Sequence, residues 1–364
     1  MTSDPLGGLP EQPEVQPEPP APPLRRLPRM STLALLGVLG AFFVAEGMVA
    51  GDPRAEDAWT LFRLGALYGP AVQAGDWWRI GSYSFLHIGW IHILMNGAAL
   101  WALMPQIEAT YGPNLAVGIY AATALSGGAA SALWSLHREV PVLAAGASGG
   151  VFGLFGATAA LFWRVRDRLP PEARRQITRG IVTNLVLNAV IAFSGFVDNA
   201  AHLGGFASGI LFGLIAPLPA VAPRPWHRPV YWMLVASALG LFGMEGAAVA
   251  WAARPRPRVL RGDGVVAQVP GMVVPIKPGI AVNPAGLAVA ISAGPPEPAE
   301  GESVRIGTEV WRRQHGTENP QTEWVRLLAP DGARVELSCW APQCRGASAD
   351  RLAEEVAATL RRAP

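Results

Sequence analysis

The feature that most constrains this chain is a series of apolar segments, each close to twenty residues long and nearly free of charge. A helix needs about 20 consecutive apolar residues to cross the hydrocarbon core of a bilayer. Seven such segments are read, at Thr32–Ala50, Phe85–Met104, Leu115–Leu136, Ala145–Trp163, Ile181–Phe196, Asn199–Ala216 and Tyr231–Ala252. Aromatic residues stand near many of their ends, at Trp90, Trp134, Trp163, Tyr231, Trp232 and Trp251, where interfacial anchors belong. Only 15% of the 364 residues are charged, against about 25% in soluble domains. This excludes a simple soluble enzyme, a disordered scaffold and a disulfide-rich secreted module. The net charge of +2 argues against a nucleic-acid partner.

Arginine placement gives an orientation, because basic residues gather on the cytoplasmic side. With the N-terminus inside, the inner segments hold Arg25, Arg26, Arg29, Arg164, Arg166, Arg168, Arg174, Arg175, Arg179, Arg224 and Arg228. The outer segments hold Arg54, Arg63, Arg79 and Arg138, together with a contrary cluster at Arg254, Arg256, Arg258 and Arg261. Eleven against eight favours N-inside. Residues 1–30 are crowded with proline and carry no apolar run, so a disordered cytoplasmic arm is expected there, not a signal peptide.

Residues 254–364 then lie outside the cytoplasm and read as a small α+β domain. Val325–Leu328 and Val335–Ser338 flank the turn sequence Pro330-Asp331-Gly332 and suggest a hairpin. Asp350 to Arg362 has helical apolar spacing at Leu352, Val356 and Leu360. The two cysteines, Cys339 and Cys344, are both in this tail, where an oxidising compartment would allow them to pair; two free thiols are the alternative. The tail either docks a substrate or partner or is an appendage without that role.

Polar side chains inside a span are costly and need a reason. His92 and Asn96, four residues apart at the start of the second span, share a helical face, while His87 falls at the lip. The fourth span opens with Gly146-Ala147-Ser148-Gly149-Gly150, and the sixth with Ala201-His202-Leu203-Gly204-Gly205. Spans two, four and six all run in the same direction, so His92, Ser148 and His202 come to similar depth beneath the outer surface. Gly149, Gly153 and Gly156 form one stripe, and His202, Gly205, Gly209 and Gly213 another. Small residues at this spacing let two membrane helices approach backbone to backbone, which would bring an imidazole to a hydroxyl. Other readings of these residues are a packing role, a proton path through His92, Asn96 and His202, or a metal site at His87, His92 and His202. The last lacks an H-E-x-x-H pattern and any neighbouring carboxylate.

Together these residues resemble the rhomboid family of intramembrane serine proteases. The matching elements are Trp78-Arg79, the His87, His92, Asn96 array, Glu108 with Gly112, Gly146-x-Ser148-Gly149, and Ala201-His202-x-x-Gly205-x-x-x-Gly209, over about Trp59 to Pro217. The resemblance implies an all-α polytopic membrane protein. Its parts would be a six-helix catalytic core at 31–217, a linker and seventh membrane helix at 218–253, and the extracytoplasmic α+β domain behind. It implies Ser148 as nucleophile, His202 as general base without a carboxylate third member, and Phe152 packing on the His202 ring. His92, Asn96 and the Ser148 backbone N–H would form the oxyanion hole. His87, Trp78, Arg79 and Glu108 would be structural, with Gly146, Gly149, Gly205 and Gly209 shaping the helix approach.

The expected activity is hydrolysis of peptide bonds in or near single transmembrane segments, in the bilayer of a bacterial inner membrane, with no cofactor. The rivals are a catalytically inactive rhomboid-like helix-binding protein and a proton-coupled transporter. No inverted repeat with broken helices supports the transporter.

Overall fold

The computed structural model describes residues 30–138, 143–193, 197–218, 224–294, 300–340 and 344–363. The proline-rich arm expected over residues 1–30 therefore falls, Met30 aside, outside the described residues. Each of the seven apolar segments contains a long helix: α1 (Met30–Ala50), α5 (Gly89–Tyr111), α6 (Pro113–Arg138), α7 (Ser148–Val165), α8 (Pro171–Ala192), α9 (Asn199–Ile215) and α10 (His227–Ala253). Between α1 and α5 lie α2 (Ala58–Leu64), α3 (Gly69–Gln73), α4 (Arg79–Ser82) and a 3₁₀ turn over Tyr83–Phe85. A short strand β1 (Leu67–Tyr68) pairs antiparallel with β2 (Leu143–Ala144), just ahead of α7.

Among the described residues three helices, α1, α6 and α10, are long and apolar enough to cross a membrane singly. The α4–3₁₀ segment and α5, bent by 93° at the break between them, make a fourth candidate. The most apolar stretch of α6 is 72% buried, against 22% for α1 and α10, so α6 is the centre around which the others pack. Its Ile119, Tyr120 and Ala124 join Leu100, Met104 and Ile107 of α5, Leu154 and Ala157 of α7, and Leu234 and Leu241 of α10 in one core.

Several boundaries differ from the sequence reading. α5 begins at Gly89, not Phe85, because the chain turns sharply through Leu86–Ile88 before entering the helix. α7 begins at Ser148 rather than Ala145. α8 begins at Pro171, ten residues before the expected Ile181, so Arg174, Arg175 and Arg179 are helical; residues 194–196 of the expected segment lie outside the described residues. Proline suits the first helical position, where its missing N–H costs nothing, and arginine is a good helix former. Apolarity alone therefore set the expected start too late.

The stretch read as a first outer loop is a packed unit. Asp57 caps α2 by accepting the Thr60 N–H, and Gly65 ends that helix at φ 117. Arg79, with no exposed surface, gives the unit its core. It donates to the carbonyls of Phe62 (2.8 Å) and Ala66 (2.9 Å) and to Asp76 (3.0 Å), and its guanidinium lies over the rings of Phe62, Trp78 and Trp251.

Beyond α10, the chain forms β3 (Arg258–Gly262), β4 (Val265–Val269), β5 (Val274–Lys277), β6 (Ile280–Asn283), β7 (Leu287–Ala293), β8 (Glu302–Ile306), β9 (Glu309–Asn319), β10 (Thr322–Leu328), β11 (Ala333–Cys339), α11 (Ala347–Thr359) and β12 (Arg361–Arg362). Seven strands make an antiparallel sheet in the order β5-β6-β7-β11-β10-β9-β8, and a smaller sheet runs β12-β4-β3. The expected hairpin is β10–β11, pairing Leu328 with Arg334 across the Pro330-Asp331-Gly332 turn. The expected helix to Arg362 stops at Thr359, since Arg361 and Arg362 pair instead with Val266 and Val265. Val274, with the partly buried Met272, packs on Phe62, Tyr68 and Trp251, and Arg258 reaches Asp76 at 2.5 Å, joining the sheets to the α2–α4 unit.

Candidate active site

Helices α7 and α9 lie side by side along their glycine stripes. A methyl group on Gly205 would overlap the Gly149 carbonyl, and one on Gly209 the Gly153 carbonyl. Only hydrogen at those positions permits so close a backbone approach. Asp198 caps α9 by accepting the Ala201 N–H at 3.0 Å, and its other carboxylate oxygen takes the Ser131 hydroxyl. That fixes the first turn of α9, where His202 sits. Ser148 is the first residue of α7. The two side chains meet: His202 Nε2 and Ser148 Oγ are 2.9 Å apart. Phe152, one turn into α7, stacks on the His202 imidazole with ring centroids 4.0 Å apart and planes 15° from parallel. Ser148, Phe152 and His202 are all half-buried, so the pair is reachable from one side.

His92 and Asn96 approach the same point from α5. The N–H of Ile88 donates to His92 Nδ1 at 3.4 Å, which assigns the ring proton to Nε2. A Cβ on Gly146 would lie 2.8 Å from that Nε2 and 3.7 Å from Asn96 Nδ2. Gly146 has φ +143, so it is glycine for backbone reasons as well as for space. Asn96 Nδ2 is buried without a hydrogen-bond partner among the described residues. Such a donor costs stability unless something else uses it. The two side-chain donors thus lie near Gly146, two residues before Ser148 in sequence.

The remaining predicted residues support this volume or lie away from it. His87 is buried, and its Nε2 receives the Ala147 N–H at 3.5 Å beside the His92 ring. Glu108 is at the far end of α5, where its carboxylate takes the Thr32 hydroxyl at 2.9 Å, and Gly112 ends that helix at φ 85. Trp78 and Arg79 belong to the α2–α4 unit. Cys339 and Cys344 are joined as a disulfide in the tail, remote in sequence from the pair.

Four residues escaped the sequence reading. Tyr83 underlies the site, donating to the Ala124 carbonyl at 3.0 Å and accepting the Gly146 N–H at 2.9 Å. Glu46 on α1 accepts the His87 N–H, and Glu245 is buried on α10. Asp198 caps the histidine helix. Glu46 and Glu245 carried a legible signal, each being a lone carboxylate inside an apolar segment. Tyr83 carried none.

The helices α1, α6 and α10, apolar over spans of membrane length, define an integral membrane protein of several helices. The family model described as "Rhomboid domain" matches residues 74–218, so this stretch of the chain is similar to rhomboid domains. It is 33% identical over 186 residues to "Rhomboid protease GluP" of Bacillus subtilis, covering 50% of this chain and 34% of that protein. It is 31% identical over 159 residues to "RHOMBOID-like protein 5" of Arabidopsis thaliana, covering 43% and 49%. Against "Putative rhomboid protease YdcA" of Bacillus subtilis the identity is 27% over 149 residues, covering 41% and 71%. The chain thus spans about a third to a half of the first two relatives' own lengths.

Proposed function

We propose that the protein is an intramembrane serine endopeptidase working through Ser148 and His202. The observation that carries this reading is the 2.9 Å approach of Ser148 Oγ to His202 Nε2 across two glycine-packed helices. A serine hydroxyl attacks a carbonyl only when a base takes its proton, and imidazole can both take that proton and return it to the leaving amine. Phe152 holds the ring flat against α7, so the proton moves along a fixed line.

As Ser148 Oγ bonds to the scissile carbon, the carbonyl oxygen becomes negative. His92 Nε2–H, Asn96 Nδ2–H and the Ser148 backbone N–H are the donors for it. Loss of one such donor typically costs about 10²–10³ in rate. His202 then protonates the departing amine, and water, activated by the same imidazole, releases the acyl group from Ser148. All three site residues fall in the first turns of their helices, at the end of the bundle that the arginine bias places outside. That depth admits water, which the hydrocarbon centre does not. The fitting substrates are single-span membrane proteins cut near their extracytoplasmic ends, where a helix unwinds most easily. The setting is a bacterial inner membrane, with the N-terminus in the cytoplasm and the tail outside.

The test is a comparison of membrane proteomes from cells carrying the parent chain and Ser148→Ala. Ectodomain fragments shed only by the parent, each ending near a membrane span, are expected. Identical fragment sets in both strains would overturn the reading.

A further inference from the structure

At the opposite end of α7 from Ser148, a cleft of about 720 Å³ opens between the last turns of α7 and the first turns of α8. Its walls carry Arg166, Arg174, Arg175 and Arg179, with Phe162, Trp163 and Val182 as the apolar side and no carboxylate among the lining residues. The guanidinium of Arg166 lies flat on the Trp163 ring, 3.3 Å from its centre, with its Nη1 buried and unpartnered. Its one carboxylate neighbour, Asp167, sits at 3.6 Å and is 82% exposed. Arg164 is not part of this group, because it already donates to the carbonyls of Gly213 and Ala216.

Four cations gathered with only the exposed Asp167 carboxylate paired to one of them repel one another unless a further anion joins them. Guanidinium forks suit phosphate oxygens in particular. The cleft also has an apolar exit: Val182, Val186 and Val190 follow one face of α8, all exposed. Eighteen residues of α7 span about 27 Å, close to the roughly 30 Å hydrocarbon thickness. With Ser148 near one surface, the arginines therefore lie at the other, level with lipid phosphates.

We propose that this cleft binds an anionic phospholipid, its headgroup phosphate among Arg166, Arg174, Arg175 and Arg179 and its acyl chain along Trp163 and the α8 valines. The proposal does not depend on the protease reading. The full chain in neutral detergent is titrated with dihexanoyl phosphatidylglycerol, dihexanoyl phosphatidylcholine or inorganic phosphate, and Tm is followed. The anionic lipid should raise Tm saturably, by about 5 °C at a hundredfold excess over Kd, and the other two probes by less than about 1 °C.

The combined Arg174→Gln, Arg175→Gln, Arg179→Gln variant should lose the rise, and Arg224→Gln, Arg228→Gln should keep it. Native mass spectrometry should find one phosphatidylglycerol retained by the parent and none by the triple variant. An equal response to both lipids, an equal response to inorganic phosphate, or an undiminished rise in the triple variant would each overturn the proposal.

Discussion

At the scale of single residues, the proposed mechanism separates groups that would do chemistry from groups that would aim them. Asn96 Nδ2 is buried near Gly146 without a hydrogen-bond partner among the described residues; as a proposed oxyanion donor its loss in Asn96→Ala should lower kcat by about 10²–10³ with little change in KM. A raised KM with unchanged kcat would place Asn96 in ground-state binding instead. Phe152 touches only the imidazole face. Phe152→Ala should slow turnover by about 10-fold or more through a loosened ring, and Phe152→Tyr, which keeps the ring stack, should retain most activity. Both series need only steady-state kinetics on a reconstituted membrane substrate. Ser148, His92, Asn96 and His202 stand out in the sequence as candidates because polar groups at helix starts in apolar segments are expensive. Tyr83 was unreadable because its role comes from a backbone turn that no periodicity announces.

At the scale of elements, the α7–α9 contact depends on the missing side chains of Gly205 and Gly209. Gly205→Ala places a methyl against the Gly149 carbonyl, forcing the helices apart. It should cost about 1–3 kcal/mol of stability and lengthen the Ser148–His202 contact, so activity should fall further than Tm alone implies. The α2–α4 unit depends on one buried cation. Arg79→Ala leaves two buried carbonyls without their donor and Asp76 with Arg258 alone, and should cost about 3–5 kcal/mol in chemical denaturation; Arg79→Lys, lacking the fork, should recover little of it. The helices themselves were legible from apolar run length, and the glycine contact from its four-residue stripe. Where charge and helix coexist, as in the first turns of α8, run length failed. At the end of α11, pairing of Arg361 and Arg362 with β4 overrode the local helical pattern.

At the scale of the whole molecule, the tail is tied to the membrane-embedded part through Asp76, which binds both Arg79 and Arg258. No local pattern announces that bridge, since its ends are 182 positions apart. Arg258→Ala should lower Tm of the full chain and make the α2–α4 unit more open to hydrogen exchange. Unchanged exchange there would show the bridge to be idle. The proposed outward placement of the tail predicts that Cys339 and Cys344, joined as a disulfide, are alkylated in intact membranes only after reduction; labelling without reductant would contradict that proposal.

The most direct measurement of the central claim is labelling of the purified protein with a serine-directed fluorophosphonate, followed by mapping of the modified peptide. The account predicts adduct on Ser148 alone, absent in Ser148→Ala and reduced by at least about 10²-fold in His202→Ala. A Ser148→Ala protein that labels as fast as the parent would contradict it.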